Sequence, residues 1–279
     1  MKKLHFCGGL PRSGSTVLMN ILQQNARIFT TGTCALPEIL HTHILLKSRY
    51  RESFQAMSVN QADSAMFGLI HGATKGWFEG LTDKPVVISK NRMWSDLFHL
   101  YKNSKYIVTV RDPRDIVESF EKINARTLAL HSFGDRNVLT PAMHKYEKYQ
   151  YYFEESNALS TSLTKEVPRM MEAFSRNENN VLFVRYEDFT QEPIYILKKI
   201  YNFLEEDWFE HNLNQISPSK LFEHDHAYFR ERTDHVTKPS FVYHKEPERT
   251  LHNVFHQTVL TEHRWFYESF YPDALERVE

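Results

Sequence analysis

Leu4-His5-Phe6-Cys7-Gly8-Gly9-Leu10-Pro11-Arg12-Ser13-Gly14-Ser15-Thr16 is the stretch that decides the fold. A short apolar run meets a loop with three glycines, and Val17, Leu18, Ile21 and Leu22 follow at helical spacing. That order predicts a strand, a phosphate-cradling turn and a helix N-terminus. Gly9 and Gly14 have the separation of a Walker A loop, but Ser15 follows Gly14 where that motif requires lysine. The positive charge lies inside the loop instead, at Arg12. Such a loop can hold phosphate oxygens with backbone N–H groups, the helix dipole and a guanidinium. It lacks the lysine that serves the β- and γ-phosphates of a nucleoside triphosphate. The competing reading is a glycine-rich strand-to-helix turn that binds nothing.

A second segment bears on that choice. Residues 105–110, Lys-Tyr-Ile-Val-Thr-Val, are β-branched, aromatic and apolar, as a buried strand requires. They run straight into Arg111-Asp112-Pro113-Arg114-Asp115-Ile116-Val117-Glu118-Ser119-Phe120. Asp112 is placed to cap a helix, with Pro113 at its first position. Ile116, Phe120 and Ile123 form the core stripe of that helix, and Ser119 shares its inner face. Arg111 stands at the C-terminal end of the strand, where open α/β sheets place ligands. The structural alternative is an Arg111 paired with Asp112 or Asp115, beside a serine tolerated in the core.

Together the two segments resemble the sulfotransferase family, whose members move a sulfuryl group from 3′-phosphoadenosine 5′-phosphosulfate (PAPS) to a hydroxyl or amine. Pro11-Arg12-Ser13-Gly14-Ser15-Thr16 is similar to the family's 5′-phosphosulfate loop, and Arg111 with Ser119 to its 3′-phosphate pair. Val86-Val87-Ile88-Ser89-Lys90-Asn91-Arg92 resembles a strand ending in lysine in the branch that holds tyrosylprotein sulfotransferases and many bacterial enzymes. Residues 181–184, followed by Arg185-Tyr186-Glu187-Asp188-Phe189, resemble the family's late strand and helix. Residues 232–239 are similar to the nucleotide-closing loop of the tyrosylprotein enzymes. The resemblance implies an α/β fold, a P-loop-like parallel sheet flanked by helices, as one sulfotransferase domain over residues 1–279. It also implies PAPS as donor, with 3′-phosphoadenosine 5′-phosphate (PAP) as the product.

The resemblance further implies roles. Arg12 and Lys90 hold the leaving phosphate while charge builds on the bridging oxygen. Backbone N–H groups of Ser13, Gly14, Ser15 and Thr16, with the hydroxyls of Ser15 and Thr16, cradle the 5′-phosphate. Arg111 and Ser119 bind the 3′-phosphate, Tyr186 reaches the nucleotide, and Arg232 and Lys238 close over it. The catalytic base departs from the pattern. The tyrosylprotein branch carries Gly-Glu-Glu just after its second short strand, whereas this chain reads Thr31-Gly32-Thr33-Cys34-Ala35-Leu36-Pro37-Glu38. Glu38 comes several residues late, and His41 follows one helical turn on, on the same face. Glu38 is the first candidate and His41 the second. Arg232 also stands where the tyrosylprotein enzymes have a serine. The acceptor is therefore a hydroxyl compound of open class: a carbohydrate, a small alcohol, a peptide tyrosine or a lipid.

Composition sets limits. At 279 residues, 41% hydrophobic and 14% aromatic, the chain suits one α/β domain with a substantial core. A net charge of −1 gives no global basic field for nucleic acid or an acidic membrane, so an anionic donor must be met by local arginines and lysines. Cys7 and Cys34 do not make a disulfide framework, and Cys7 reads as a buried thiol. The N-terminus has no sustained apolar run, and no stretch reaches the roughly 20 apolar residues of a transmembrane helix. Those features predict a cytoplasmic protein with no membrane partner. His41 with His43, and His224 with His226, lack the spacing of a known zinc pattern, so no metal is expected.

Strands are expected at residues 4–7, 86–89, 106–110 and 181–184, alternating with helices at 36–50, 62–79 and two within 142–176. Residues 124–145 read as a mobile loop or lid beside the acceptor site, and residues 217–249 as a long loop that either folds over the nucleotide or stays partly disordered. The aromatic run Tyr146, Tyr149, Tyr151, Tyr152 and Phe153 reads either as an acceptor groove or as a helix packed on the sheet. Two rival functions stand beside the transferase. One is a P-loop kinase or NTPase, opposed by the missing lysine and by a second strand that ends in Lys90 rather than aspartate. The other is a nucleotide-binding protein that has lost its base.

Overall fold

The computed structural model describes residues 2–49, 52, 56–91, 101, 103–130, 145–154, 157–176, 179–217, 238–245 and 248–276. Five strands form one sheet: β1 (Lys3–Gly9), β2 (Ile28–Thr33), β3 (Val86–Lys90), β4 (Tyr106–Val110) and β5 (Val181–Arg185). Their order is β2-β3-β1-β4-β5 and every pairing is parallel. Four of these are the strands expected from the apolar runs. β2 is the addition: two threonines, a glycine and a final threonine dilute its apolar signal, and it lies at the sheet edge with an irregular register between Thr30 and Thr33.

Between the strands lie α1 (Ser15–Leu22), α2 (Leu36–Arg49), α3 (Val59–Leu81), α4 (Pro113–Leu130), α5 (Lys145–Phe153), α6 (Ala158–Thr161) and α7 (Val167–Ser175). A π-helical turn, Ser162–Glu166, joins the last two. After β5 come α8 (Tyr186–Gln191), α9 (Pro193–Leu204), α10 (Asn253–Glu262), α11 (Arg264–Phe270) and α12 (Pro272–Glu276). Two expectations change here. α4 continues to Leu130, so 124–130 is helix rather than loop, and the 142–176 region breaks into more than two helical pieces.

The sheet is covered on both faces, which is why its strands read as apolar runs without polar alternation. Successive side chains still part company. Cys7, Val86, Ile88, Ile107 and Val184 pack with Leu18, Ile21 and Leu22 of α1 and Leu197, Ile200 and Leu204 of α9. Phe6, Val87, Tyr106, Val108 and Val110 pack with Ile116 and Val117 of α4, Val167 and Met170 of α7, and Val259 and Phe266 near the C-terminus. The connections leaving β1 and β4 run to opposite sides of the sheet. The crevice between those two strands is the switch point at which such sheets bind ligands.

Candidate active site

The loop after β1 is shaped by its backbone. Gly9 takes a left-handed conformation at φ 117°, and a Cβ there would overlap the Thr109 backbone, with the amide nitrogen at 2.6 Å. The Leu10 amide donates to the Thr109 carbonyl at 2.9 Å. Arg12 holds φ 58°, a conformation that L residues enter rarely and that tends to mark a functional loop. The Ser13 hydroxyl bonds the Leu10 carbonyl and lies 2.6 Å from the Thr109 hydroxyl. Ser13 is thereby buried behind the loop and shapes it, and it is absent from the cavity lining. Gly14 caps α1 in a left-handed conformation, with no side-chain cap and no acid in the first turn. The first amides of α1 and the positive end of its dipole face the cavity without internal competition.

That cavity measures about 560 Å³. Its walls include Gly14, Ser15, Thr16, Lys90, Arg111 and Ser119, with Arg12, Tyr186 and Lys238 completing the charged and aromatic rim. The Lys90 ammonium reaches across from β3 to the Thr16 hydroxyl at 2.6 Å. Arg12 donates from Nε to the Ser119 hydroxyl at 3.3 Å, and Arg111 donates from Nη1 to the Arg12 carbonyl at 3.0 Å. The loop thus meets the β4–α4 corner at Arg12, where the two walls of the cavity join. Arg111 also stacks on Tyr186, 4.3 Å from guanidinium carbon to ring centroid. Its Nε is buried without a hydrogen-bond partner, an orphaned donor that an anionic oxygen would satisfy.

The ion pairing considered for Arg111 goes to other residues. Asp112 caps α4 by accepting from the Arg114 amide at 2.9 Å, and it pairs with the Arg114 guanidinium at 2.6 Å. Arg249 joins Asp112 at 3.2 Å and Asp115 at 2.8 Å. Burial opposes the ionisation of Asp112, yet its bonds to Arg114 and the Arg249 charge outweigh that and hold its carboxyl below the usual range. Asp115 goes the other way, pushed up by burial and by the neighbouring Asp112 charge.

Glu38 lies exposed in the first turn of α2, outside the cavity lining. Both of its carboxylate oxygens accept from the Asn91 side-chain amide, at 3.2 and 3.1 Å. Asn91 itself lines the cavity, and its amide also bonds the Cys34 carbonyl. Asn91 is a residue that sequence reasoning left unassigned; its position directly after the strand-end Lys90 is the signal that could have found it. His41 is half-buried one turn beyond Glu38. The His43 side chain, His224, His226 and Arg232 lie outside the described residues. Cys7 is fully buried, which pushes its thiol up to about 12. Tyr152 is buried and donates to Glu121 at 2.7 Å, and Tyr149 stacks on Phe153 at 4.7 Å, so these members of the aromatic run are helix packing. Among the described residues, no group of three or more His, Cys, Asp or Glu is placed to hold a metal ion. No helix among them is long and apolar enough to cross a membrane.

A parallel sheet with a phosphate loop at its switch point and cations converging on it defines a P-loop-like α/β protein with a site for an anionic ligand. The chain belongs to the sulfotransferase family, whose family model matches residues 5–210. Among solved structures, the sulfotransferase domain from the curacin biosynthetic pathway shares the fold, with TM-score 0.52 and 18% identity over 94% of this chain and 97% of that one. The sulfotransferase domain from the Synechococcus PCC 7002 olefin synthase gives TM-score 0.48 and 19% identity over 94% and 95% of the two chains. A mouse sulfotransferase complexed with PAP gives 0.44 and 18% over 75% and 61%. No curated protein matches the chain significantly.

Proposed function

We propose that the chain, acting as one domain, moves a sulfuryl group from PAPS to a hydroxyl acceptor by in-line displacement. The observation that carries this reading is the convergence on one cavity of two cationic groups of different origin. The α1 N-terminus and Lys90 lie at one part of the wall, and Arg111 with its orphaned Nε and Ser119 at another. A nucleotide with separate 5′- and 3′-phosphates needs two such groups; ADP and ATP need one. PAPS supplies the activated sulfuryl group and a phosphate leaving group. The chain supplies position and charge, the terms that dominate related group transfers. The amides of residues 13–16 and the hydroxyls of Ser15 and Thr16 hold the 5′-phosphate. Lys90 and Arg12 balance charge developing on the bridging oxygen. Arg111 and Ser119 take the 3′-phosphate, Tyr186 backs Arg111, and Lys238 and Arg232 close over the nucleotide. Arginine, lysine and loop amides suffice for the donor's charge, so the reaction needs no metal.

Glu38 is the proposed base, steered by the Asn91 amide at the cavity wall, with His41 as the second candidate. The acceptor is a carbohydrate, small alcohol, peptide tyrosine or lipid. Calorimetric titration with PAP, ADP and ATP tests the donor assignment: PAP is expected to bind far more tightly than either, and equal affinities reject it. Arg111→Ala should weaken PAP binding by about 1.5–3 kcal/mol, the range for hydrogen bonds to charged groups.

A further inference from the structure

The family match ends at residue 210, yet side chains beyond it fasten the corner between β4 and α4. Tyr267 donates to Asp112 at 2.8 Å, and Thr250 and the Leu251 amide each donate to Glu118 at 2.8 Å. One further tie reaches the cavity wall. The Tyr271 hydroxyl donates to Glu187 Oε2 at 2.6 Å, while Glu187 Oε1 faces the Asp112 amide at 3.5 Å. Glu187 directly follows Tyr186, and Asp112 directly follows Arg111. The Glu187 carboxylate therefore joins the chain segment next to Tyr186 to the one next to Arg111, the two residues of the stack.

That stack has little room to shift. A Cβ on Gly14 would come within 2.9 Å of the Tyr186 ring, so the ring is wedged between the loop and the Arg111 guanidinium. Burial raises Glu187 above the usual carboxylate range, and the Tyr271 hydrogen bond and the Arg111 charge both favour its ionised form. Loss of the Tyr271 donor leaves a buried acceptor underbonded beside Arg111.

We infer that Tyr271 and Glu187 form a positioning pair: the C-terminal hydroxyl fixes the Glu187 carboxylate, which fixes the Tyr186–Arg111 stack and so sets preference for a nucleotide carrying a 3′-phosphate. The inference rests on the donor site described under Proposed function. It assigns part of donor selection to a residue outside the family match.

The test is binding of PAP and of adenosine 5′-phosphate, which lacks the 3′-phosphate, to the full chain and its variants. Tyr271→Phe keeps the ring under Arg185, whose guanidinium lies 4.5 Å from the ring centroid, and removes only the hydroxyl. It is expected to lower PAP affinity threefold to tenfold, the scale of one hydrogen bond, and to leave adenosine 5′-phosphate affinity unchanged. Glu187→Gln keeps an oxygen for the Tyr271 hydroxyl but turns an NH2 donor toward the Asp112 amide, so its loss of PAP affinity should be smaller than that of Glu187→Ala. Glu187→Ala should reproduce the Tyr271→Phe loss, and the double variant Glu187→Ala/Tyr271→Phe should be no worse than Glu187→Ala, because both act through one bond. If the unsubstituted chain binds both nucleotides equally, the donor assignment fails. If it prefers PAP and Tyr271→Phe keeps that preference, or loses both nucleotides alike, the positioning role is overturned. Additive losses in the double variant overturn it as well.

Discussion

The two walls of the cavity are held by different physics. The phosphate loop is held by its own backbone: positive φ at Gly9, Arg12 and Gly14, a glycine pressed on Thr109, and a serine hydroxyl turned inward. The corner between β4 and α4 is held by side-chain charge brought from far along the chain. The Arg249 to Asp115 bond spans 134 positions, and the Tyr267 to Asp112 bond 155. The loop concentrates its dependence on single atoms. The corner spreads it over Asp112, Arg114, Asp115, Glu118 and their C-terminal partners.

The largest effect is therefore expected in the loop. Gly9→Ala puts a methyl group into the Thr109 backbone at a φ of 117°, so both β1–β4 pairing and loop conformation must yield. Steric overlap against backbone, with left-handed strain added, belongs to the rare class of substitutions costing more than about 4 kcal/mol. Folded yield and the urea midpoint check it. A Gly9→Ala protein with unchanged midpoint would mean that the loop wall is as tolerant as the corner.

The next effect separates chemistry from binding within the loop wall. Lys90 meets Thr16 at the α1 N-terminus, and under the proposed in-line transfer the charge it would balance grows only in the transition state. Lys90→Ala should lower kcat by roughly 10²–10³, as loss of one preorganised donor does, and weaken PAP binding far less. Glu38→Gln should lower turnover about a hundredfold and leave PAP binding nearly unchanged. Single-turnover rates beside calorimetric affinities decide both. A Lys90→Ala protein that loses donor affinity and keeps kcat makes Lys90 a binding residue only. Near-normal turnover in Glu38→Gln removes Glu38 and passes the question to His41→Asn.

What the sequence made legible follows the same division. The loop, β1, β3, β4, β5 and the Asp112 cap were readable because their signals are local: apolar runs, glycine spacing, and a capping residue before proline. β2 was missed because an edge strand of threonine and glycine carries little apolar signal. The pairing of Asp112 and Asp115 with Arg111, weighed as the structural alternative, is not the one formed: their partners are Arg114 and Arg249. Arg114 was in view, but Arg249 and Tyr267 arrive through tertiary contact, which no local pattern encodes. The same holds for Asn91 on Glu38 and Tyr271 on Glu187. Ser13 was assigned only its backbone N–H, and the structural use of its hydroxyl, on Leu10 and Thr109, was not foreseen.

The smallest expected effect asks whether the two walls unfold together. His5 on β1 is buried and accepts from the Lys105 amide at 3.1 Å; burial lowers it to about 4. His263, at the junction of α10 and α11 and 3.3 Å from the Tyr149 hydroxyl, is lowered by burial to about 4 as well. His211, 3.1 Å from the Tyr201 hydroxyl under α9, behaves alike. A histidine depressed in the folded state stays neutral there while the unfolded chain takes up a proton below 6.5, so stability is full above 6.5 and falls as pH drops toward 4. Each histidine should cost about 1.4 kcal/mol between pH 7.5 and 5.5, most of it below 6.5. Asp115 and Glu187, raised mainly by burial, oppose this as they take up protons, and their effect gathers lower in pH. Urea midpoints between pH 7.5 and 5.5 should therefore fall steadily. His5 reports the loop wall and His263 the C-terminal brace. If the molecule melts as one unit, His5→Gln and His263→Gln each flatten the same single transition. A second transition that only His263→Gln removes would mean that the brace detaches first, and that the corner it holds depends on pH while the loop does not.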